Sequence, residues 1–261
     1  MRIGALLTEA EDVVPAAAAG LFGVLLEAPP AADGSPSDTG SGTAGEVAAL
    51  TQDTRVLVRV VLGTENPVTL AEEVAVLDHL SAGRAVALVD PGALDDDAAA
   101  EDLALLRACW SGRPVRHRGA RWTVPSGVMG ETAPSSLAVT PLPAQVDLPV
   151  WLTRAVPGAG AGLPVLVAAP DRARADVQVQ PGVCDLTGDL DHDRALVTAW
   201  ADAGATHLLV RPPGAAGRAA SGVAVGAFFG LYVARYLQPE VSMPGFPRIM
   251  AEAELPAPWT P

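Results

Sequence analysis

Three charged residues stand where apolar runs end or are interrupted, and they are the first places to look for chemistry. Glu27 closes the run Phe22–Leu26, and Asp90 closes Ala85–Val89 just before Pro91-Gly92. Arg59 interrupts Val56-Leu57-Val58-Arg59-Val60-Val61-Leu62. A charge inside such a strand is costly unless it is paired. Arg59 therefore demands an anion, which is either a bound ligand or a carboxylate such as Glu27 in an inward structural salt bridge. Glu27 reads equally as a carboxylate facing a ligand or as a strand-end residue paired with a helix terminus. Asp90 lies at a strand end, where parallel α/β barrels place their reacting groups.

Other chemistries lack their residues. The histidines His79, His117, His192 and His207 have no partners at metal-ligand spacing, so no metal site is expected. Cys109 and Cys184 form no CxxC pair, and neither a metal nor a disulfide framework is indicated. All 17 basic residues are arginine, which removes Schiff-base chemistry and lysine-dependent phosphate loops. A formal net charge of −13 opposes binding to nucleic acid or to an anionic membrane surface. The N-terminal apolar run is too short for a signal sequence, and no window is long enough to span a bilayer. A cytoplasmic location is the expectation.

Eight short Val/Leu-rich runs read as buried strands: Ile3–Leu7, Phe22–Leu26, Val56–Leu62, Ala85–Val89, Val150–Leu152, Pro164–Ala168, Val177–Val179 and His207–Val210. Helical patterns separate them. Asn66-Pro67 supplies a cap and a first-turn proline, Leu70, Val74 and Leu77 recur on one face, and Gly83 stops the helix. Leu103, Leu106 and Trp110 repeat that spacing before Gly112, as do Leu196, Trp200 and Ala203 before Gly204. A last helix carries Val225, Phe228, Leu231 and Arg235 and ends at Pro239. Ala28–Gly45 and Arg154–Leu163 read as loops, Arg116–Trp122 as a basic hairpin, and Glu240–Pro261 as irregular tail. This alternation predicts an α/β fold with a parallel sheet, in one domain over residues 1–261.

The segment Val60–Arg84 carries a resemblance. Its Pro67-Val68-Thr69-Leu70-Ala71-Glu72, followed by Leu77-Asp78-His79-Leu80-Ser81-Ala82-Gly83-Arg84, resembles the unit joining strands three and four in the bacterial-luciferase-like flavin monooxygenases. Weaker echoes occur at Asp102–Gly112, Val115–Trp122, Leu148–Trp151 and Gly188–Arg211. The resemblance implies a (β/α)8 TIM-barrel-like single domain, shortened or partly degenerate around strands five to seven. It also implies FMN, or the deazaflavin coenzyme F420, bound at the carboxyl ends of the strands.

On that resemblance Glu27, Arg59, Asp90, Thr153 and Arg154 are the candidate cofactor-binding residues, with Thr153 and Arg154 as donors to a phosphate. No catalytic residue is assigned, because Ala28 stands where relatives often carry a strand-two histidine, and Pro91 where an arginine is expected. Asp78 and Arg84 are read as structural braces of a helix end, His79 as solvated, and Trp110 and Trp200 as core. The implied activity is a flavin-dependent monooxygenase acting on a small organic molecule, with a flavin reductase as partner. The alternative is an impaired flavin-binding protein or the inert subunit of a heterodimer with a complete homologue. Dimerisation, as a homodimer or with that homologue, would use the helix Pro67–Ala82.

Overall fold

The computed structural model describes residues 1–27, 40–126, 135–173, 178–213 and 222–238. In chain order the elements begin β1 (Arg2–Leu7), α1 (Val13–Ala17), β2 (Gly23–Leu26), α2 (Ser41–Leu50), β3 (Arg55–Val61) and α3 (Pro67–Leu80). They continue β4 (Ala85–Asp90), α4 (Asp96–Trp110), β5 (His117–Arg118), β6 (Thr123–Val124) and β7 (Val150–Leu152). The last are β8 (Pro181–Asp185), α5 (Leu190–Asp202), β9 (His207–Arg211) and α6 (Gly222–Ala227), which runs on into a π-helical stretch, Phe228–Leu237. The chain divides into two compact units: Met1–Glu27 with Leu166–Pro261, and Ala28–Val165.

In the first unit β2, β1, β9 and β8 are neighbours in that order, and every pairing is parallel. Ile3 pairs with Leu208 and Val183 with Leu209. Ile3–Leu7, Gly23–Leu26 and Leu208–Val210 are continuous buried runs, as burial on both faces requires, whereas Val183 and Cys184 of β8 are half-buried. Helix α5 is held to the π-helical stretch by a hydrogen bond from the Tyr232 hydroxyl to Asp193 Oδ2, at 2.8 Å. Asp193 also accepts from the amides of Thr187 and Gly188, so this buried carboxylate fixes the turn into α5.

In the second unit β3, β4 and β7 form a parallel sheet, with Arg59 opposite Leu88 and Val89 opposite Leu152. The Asn66 side chain accepts from the Val68 amide at 2.9 Å, and Gly83, at φ +77°, ends the following helix by donating to the Asp78 carbonyl. Asp78 accepts from the Ala85 amide and from both amides of Gln145. Arg84 donates to Ser81 O, Thr51 Oγ1, Thr51 O, Thr54 O and Ala48 O. Both residues are therefore braces, as their spacing predicts. Glu101 and Asp102 on α4 pin the β5–β6 hairpin: Glu101 takes the amides of Ala120, Arg121 and Trp122, and Asp102 takes Arg121 Nε and Trp122 Nε1.

Several expectations are corrected. Pro164–Ala168 is not a strand; it makes single parallel bridges, Leu152 to Val165 and Val167 to Gly182. The strand expected at Val177–Val179 lies instead at Pro181–Asp185; Val177 is outside the described residues. Propensity disfavours Pro and Gly in strands, but Pro181 takes the first position and Gly182 leaves space for the Trp200 ring. The loop expected over Ala28–Gly45 gives way to α2 from Ser41, because Ala44, Val47 and Ala48 are buried. On α5 the buried stripe is Asp193, Val197 and Trp200, while Leu196 is half-buried. The π-helical turn rotates Leu231 outward (45% exposed) and buries Tyr232, Val233 and Tyr236. Pro239, residues 28–39 and the tail Glu240–Pro261 lie outside the described residues.

Candidate functional site

At the carboxyl ends of β3, β4 and β7 three of the expected residues meet. Arg59 Nη2 donates to Asp90 Oδ2 at 2.6 Å, and the Gly92 amide donates to Asp90 Oδ1 at 3.0 Å. The Thr153 side chain, just past β7, also favours the ionised form of Asp90. Burial alone would raise the Asp90 carboxyl, but the Arg59 and Gly92 hydrogen bonds, the Arg59 charge and the Thr153 side chain outweigh it. Asp90 therefore stays ionised below the usual carboxylate range.

Strand register explains the meeting. Arg59 and Asp90 sit on neighbouring parallel strands, with Val61 opposite Asp90, and Thr153 follows β7 directly, its amide bonded to the Val89 carbonyl. Gly92 has φ +58°, and a Cβ there would lie 3.1 Å from the Leu62 carbonyl oxygen. That close turn is what brings its amide onto Asp90.

Arg154 does not join them. Its Nη1 donates to Asp96 Oδ1 at 2.9 Å and its Nη2 to the Leu94 carbonyl at 2.7 Å, which ties the turns after β7 to the start of α4. Residues 154–163 form turns without a helix, so no helix N-terminus accompanies Arg154.

Glu27 belongs to the other unit, and its partner is Arg211 at 3.5 Å rather than Arg59 or a helix terminus. The Arg211 guanidinium also pairs with Asp185. The three residues lie at or just past the ends of β2, β9 and β8. Arg211 and Asp185 are missed by the sequence reading. Arg211 carries the same signal as Glu27 and Asp90, a charge directly after an apolar strand. Asp185 was hidden by the misplacement of its strand.

The histidines serve locally. His117 Nε2 lies 3.1 Å from Glu101 Oε1, exposed His79 lies 2.8 Å from the Leu142 carbonyl, and His207 bonds the Thr206 hydroxyl. Trp200 is fully buried, and the half-buried Trp110 donates to the Ala71 carbonyl. Among the described residues no group of three His, Cys, Asp or Glu side chains could hold a metal. No helix among them is long and apolar enough to cross a membrane.

No family model matches this sequence, and no curated protein matches it either. Solved structures do. The coenzyme F420-dependent tetrahydromethanopterin reductase of Methanopyrus kandleri superposes with a TM-score of 0.67 at 13% identity, over 92% of this chain and 99% of that one. A monooxygenase from Streptomyces bottropensis gives a TM-score of 0.53 at 17% identity, over 78% of this chain and 66% of that one. This chain thus spans 66% of that monooxygenase's length. The likeness is one of fold: this is a shortened α/β, TIM-barrel-like chain.

Proposed function

We propose that this chain is a flavin- or deazaflavin-dependent oxidoreductase, of monooxygenase type, acting on a small organic substrate. One observation carries the reading. On this fold, an arginine, an aspartate and a threonine are assembled at the carboxyl ends of three adjacent parallel strands, where barrels of this architecture place their chemistry. Arg59 uses one nitrogen on Asp90, and among the described residues its Nε and Nη1 have no partner. Those donors fit the carbonyl-bearing ring of a flavin or deazaflavin.

The bound group would supply the two-electron chemistry; the protein would position it and exclude water. Asp90 fixes the guanidinium, and Thr153 favours the ionised Asp90. Reduced FMN delivered by a separate flavin reductase is the first form of the reading, and F420 the second. Titration with FMN and with F420 in parallel, followed by absorbance and fluorescence, tests it. Saturable binding of one of them, with oxygen uptake when a flavin reductase and its nicotinamide donor are added, is the expected result. Binding of neither would overturn the reading.

A second reading is favoured by Ala28, by Pro91 and by the commitment of Arg154 to Asp96 and Leu94. It is a flavin-binding protein without turnover, or the inert subunit of a heterodimer. Binding without oxygen uptake by the chain alone, restored by co-expression with a complete homologue, would select it. A homodimer through α3 remains the form to test by sedimentation.

A further inference from the structure

We infer that the Arg59–Asp90–Thr153 cluster grips an uncharged, carbonyl-bearing ring of its ligand and does not hold a phosphate. The inference rests on the flavin reading above and gives that site its ligand chemistry. Three arginines stand at the described carboxyl ends of the strands, and each is already matched by carboxylate. In the second unit Arg59 is paired with Asp90 and Arg154 with Asp96. In the first unit Arg211 is shared by Asp185 and Glu27.

A phosphate monoester carries a charge of about −1.5 to −2 near neutral pH. To bind at Arg59 it would have to share the guanidinium with Asp90, an ionised carboxylate 2.6 Å away. Two anions on one arginine repel each other, and the chain carries a formal −13 besides. A ring carbonyl meets no such penalty. It is a neutral acceptor, and a guanidinium held in place by a carboxylate presents its remaining N–H groups with little orientational freedom to lose. Each oxygen of Asp90 already accepts a donor from the protein, Oδ2 from Arg59 and Oδ1 from the Gly92 amide, so its part here is to orient the guanidinium. Arg59 is the ligand-touching group, and Asp90 and Thr153 are positioning residues.

The test compares riboflavin with FMN, which differ only in the phosphate, on the full chain and on Arg59→Gln and Asp90→Asn. Each variant is checked for its far-UV spectrum and melting temperature. The expected result is that Arg59→Gln weakens riboflavin and FMN by the same factor, tenfold or more, with the two factors agreeing within threefold. Asp90→Asn should weaken both ligands in the same matched way, which preserves the test if one variant does not fold. A loss confined to FMN overturns the inference and assigns Arg59 to the phosphate. Unchanged affinity for both ligands also overturns it, while leaving the flavin reading in place. If the unmodified chain binds neither ligand, the flavin reading fails and the inference fails with it.

Discussion

The carboxylate of Asp78 accepts two hydrogen bonds from Gln145, one from its backbone amide and one from its side chain, each at 2.8 Å. The same carboxylate receives the Ala85 amide, so one fully buried charge joins the end of α3, the start of β4 and a residue 67 positions along the chain. Gln145 Nε2 also donates to the Ala85 carbonyl, which closes the network. Replacing Asp78 with Ala strands the buried Ala85 amide and the half-buried amides of Gln145. Asp78→Ala should cost about 3 kcal/mol, since hydrogen bonds to charged groups are worth roughly 1.5–3 kcal/mol and the stranded donors add their desolvation. Urea denaturation checks this, and a change under about 1 kcal/mol would contradict it.

Gly182 is shaped around Trp200. A Cβ at 182 would stand 2.5 Å from Trp200 Cζ3 and 2.8 Å from Cε3, against an indole that is fully buried. Gly182→Ala should therefore lower stability by about 1–3 kcal/mol through overpacking. Thermal melting monitored by tryptophan fluorescence is the readout. The double variant Gly182→Ala with Trp200→Phe should recover part of the loss, because the smaller ring vacates the contact.

The hairpin β5–β6 hangs from two adjacent carboxylates. Glu101 collects three backbone amides and His117, and Asp102 collects Arg121 and Trp122 Nε1 at 2.6 Å. Glu101→Ala should release the turn Gly119–Trp122 while leaving α4 folded. Amide hydrogen exchange is expected to rise over residues 117–124 and stay unchanged over 96–110. Equal exchange in the variant and the parent would show that the turn holds without the carboxylate.

Buried Asp12 and half-buried His207 give opposite pH slopes. Asp12 is raised to about 6, first by burial and then by Glu11 and Glu9, and its Oδ1 has no partner among the described residues. Its folded pKa lies above the unfolded value of 3.8, so the folded state binds more protons between the two, and stability falls as pH climbs from 3.8 to about 6. Asp12→Asn should remove that loss and stabilise the chain by about 2 kcal/mol at pH 7.5, with no gain below pH 4. His207 is lowered from 6.5 to about 4 by burial, then by Arg2 and the N-terminal amine. Here the unfolded state binds more protons, so the contribution is complete above pH 6.5 and is lost as pH falls towards 4. Melting temperature against pH for His207→Gln should lack that acid decline.

How much was legible follows from the range of the forces involved. The cap at Asn66, the stop at Gly83, and the strands at 2–7, 55–61, 85–90, 150–152 and 207–211 follow from local signals: a side chain reaching two residues along, a glycine free to take positive φ, and unbroken Val/Leu runs. The paired roles of Asp78 and Arg84 were readable because both lie within a few residues of the helix end they brace. The strand at Pro181–Asp185 was not, because its glycine is chosen by a tryptophan 18 positions away. Helix α2 was not, because burial of Val47 overrides the poor helix propensity of Ser41–Gly45.

The candidate site divides in the same way. The sequence by itself determined that Glu27 and Asp90 are charges at strand ends, and Arg59 a charge within a strand, that need matching, because desolvation makes an isolated charge there costly. Only the tertiary structure decided who matches whom. Parallel register sets Arg59 beside Asp90 and hands Glu27 to Arg211, while the turns after β7 draw Arg154 to Asp96. Burial of a charge is a property of one residue and its neighbours in the chain. The choice of counter-charge is made across hydrogen-bonded strands, between residues dozens of positions apart.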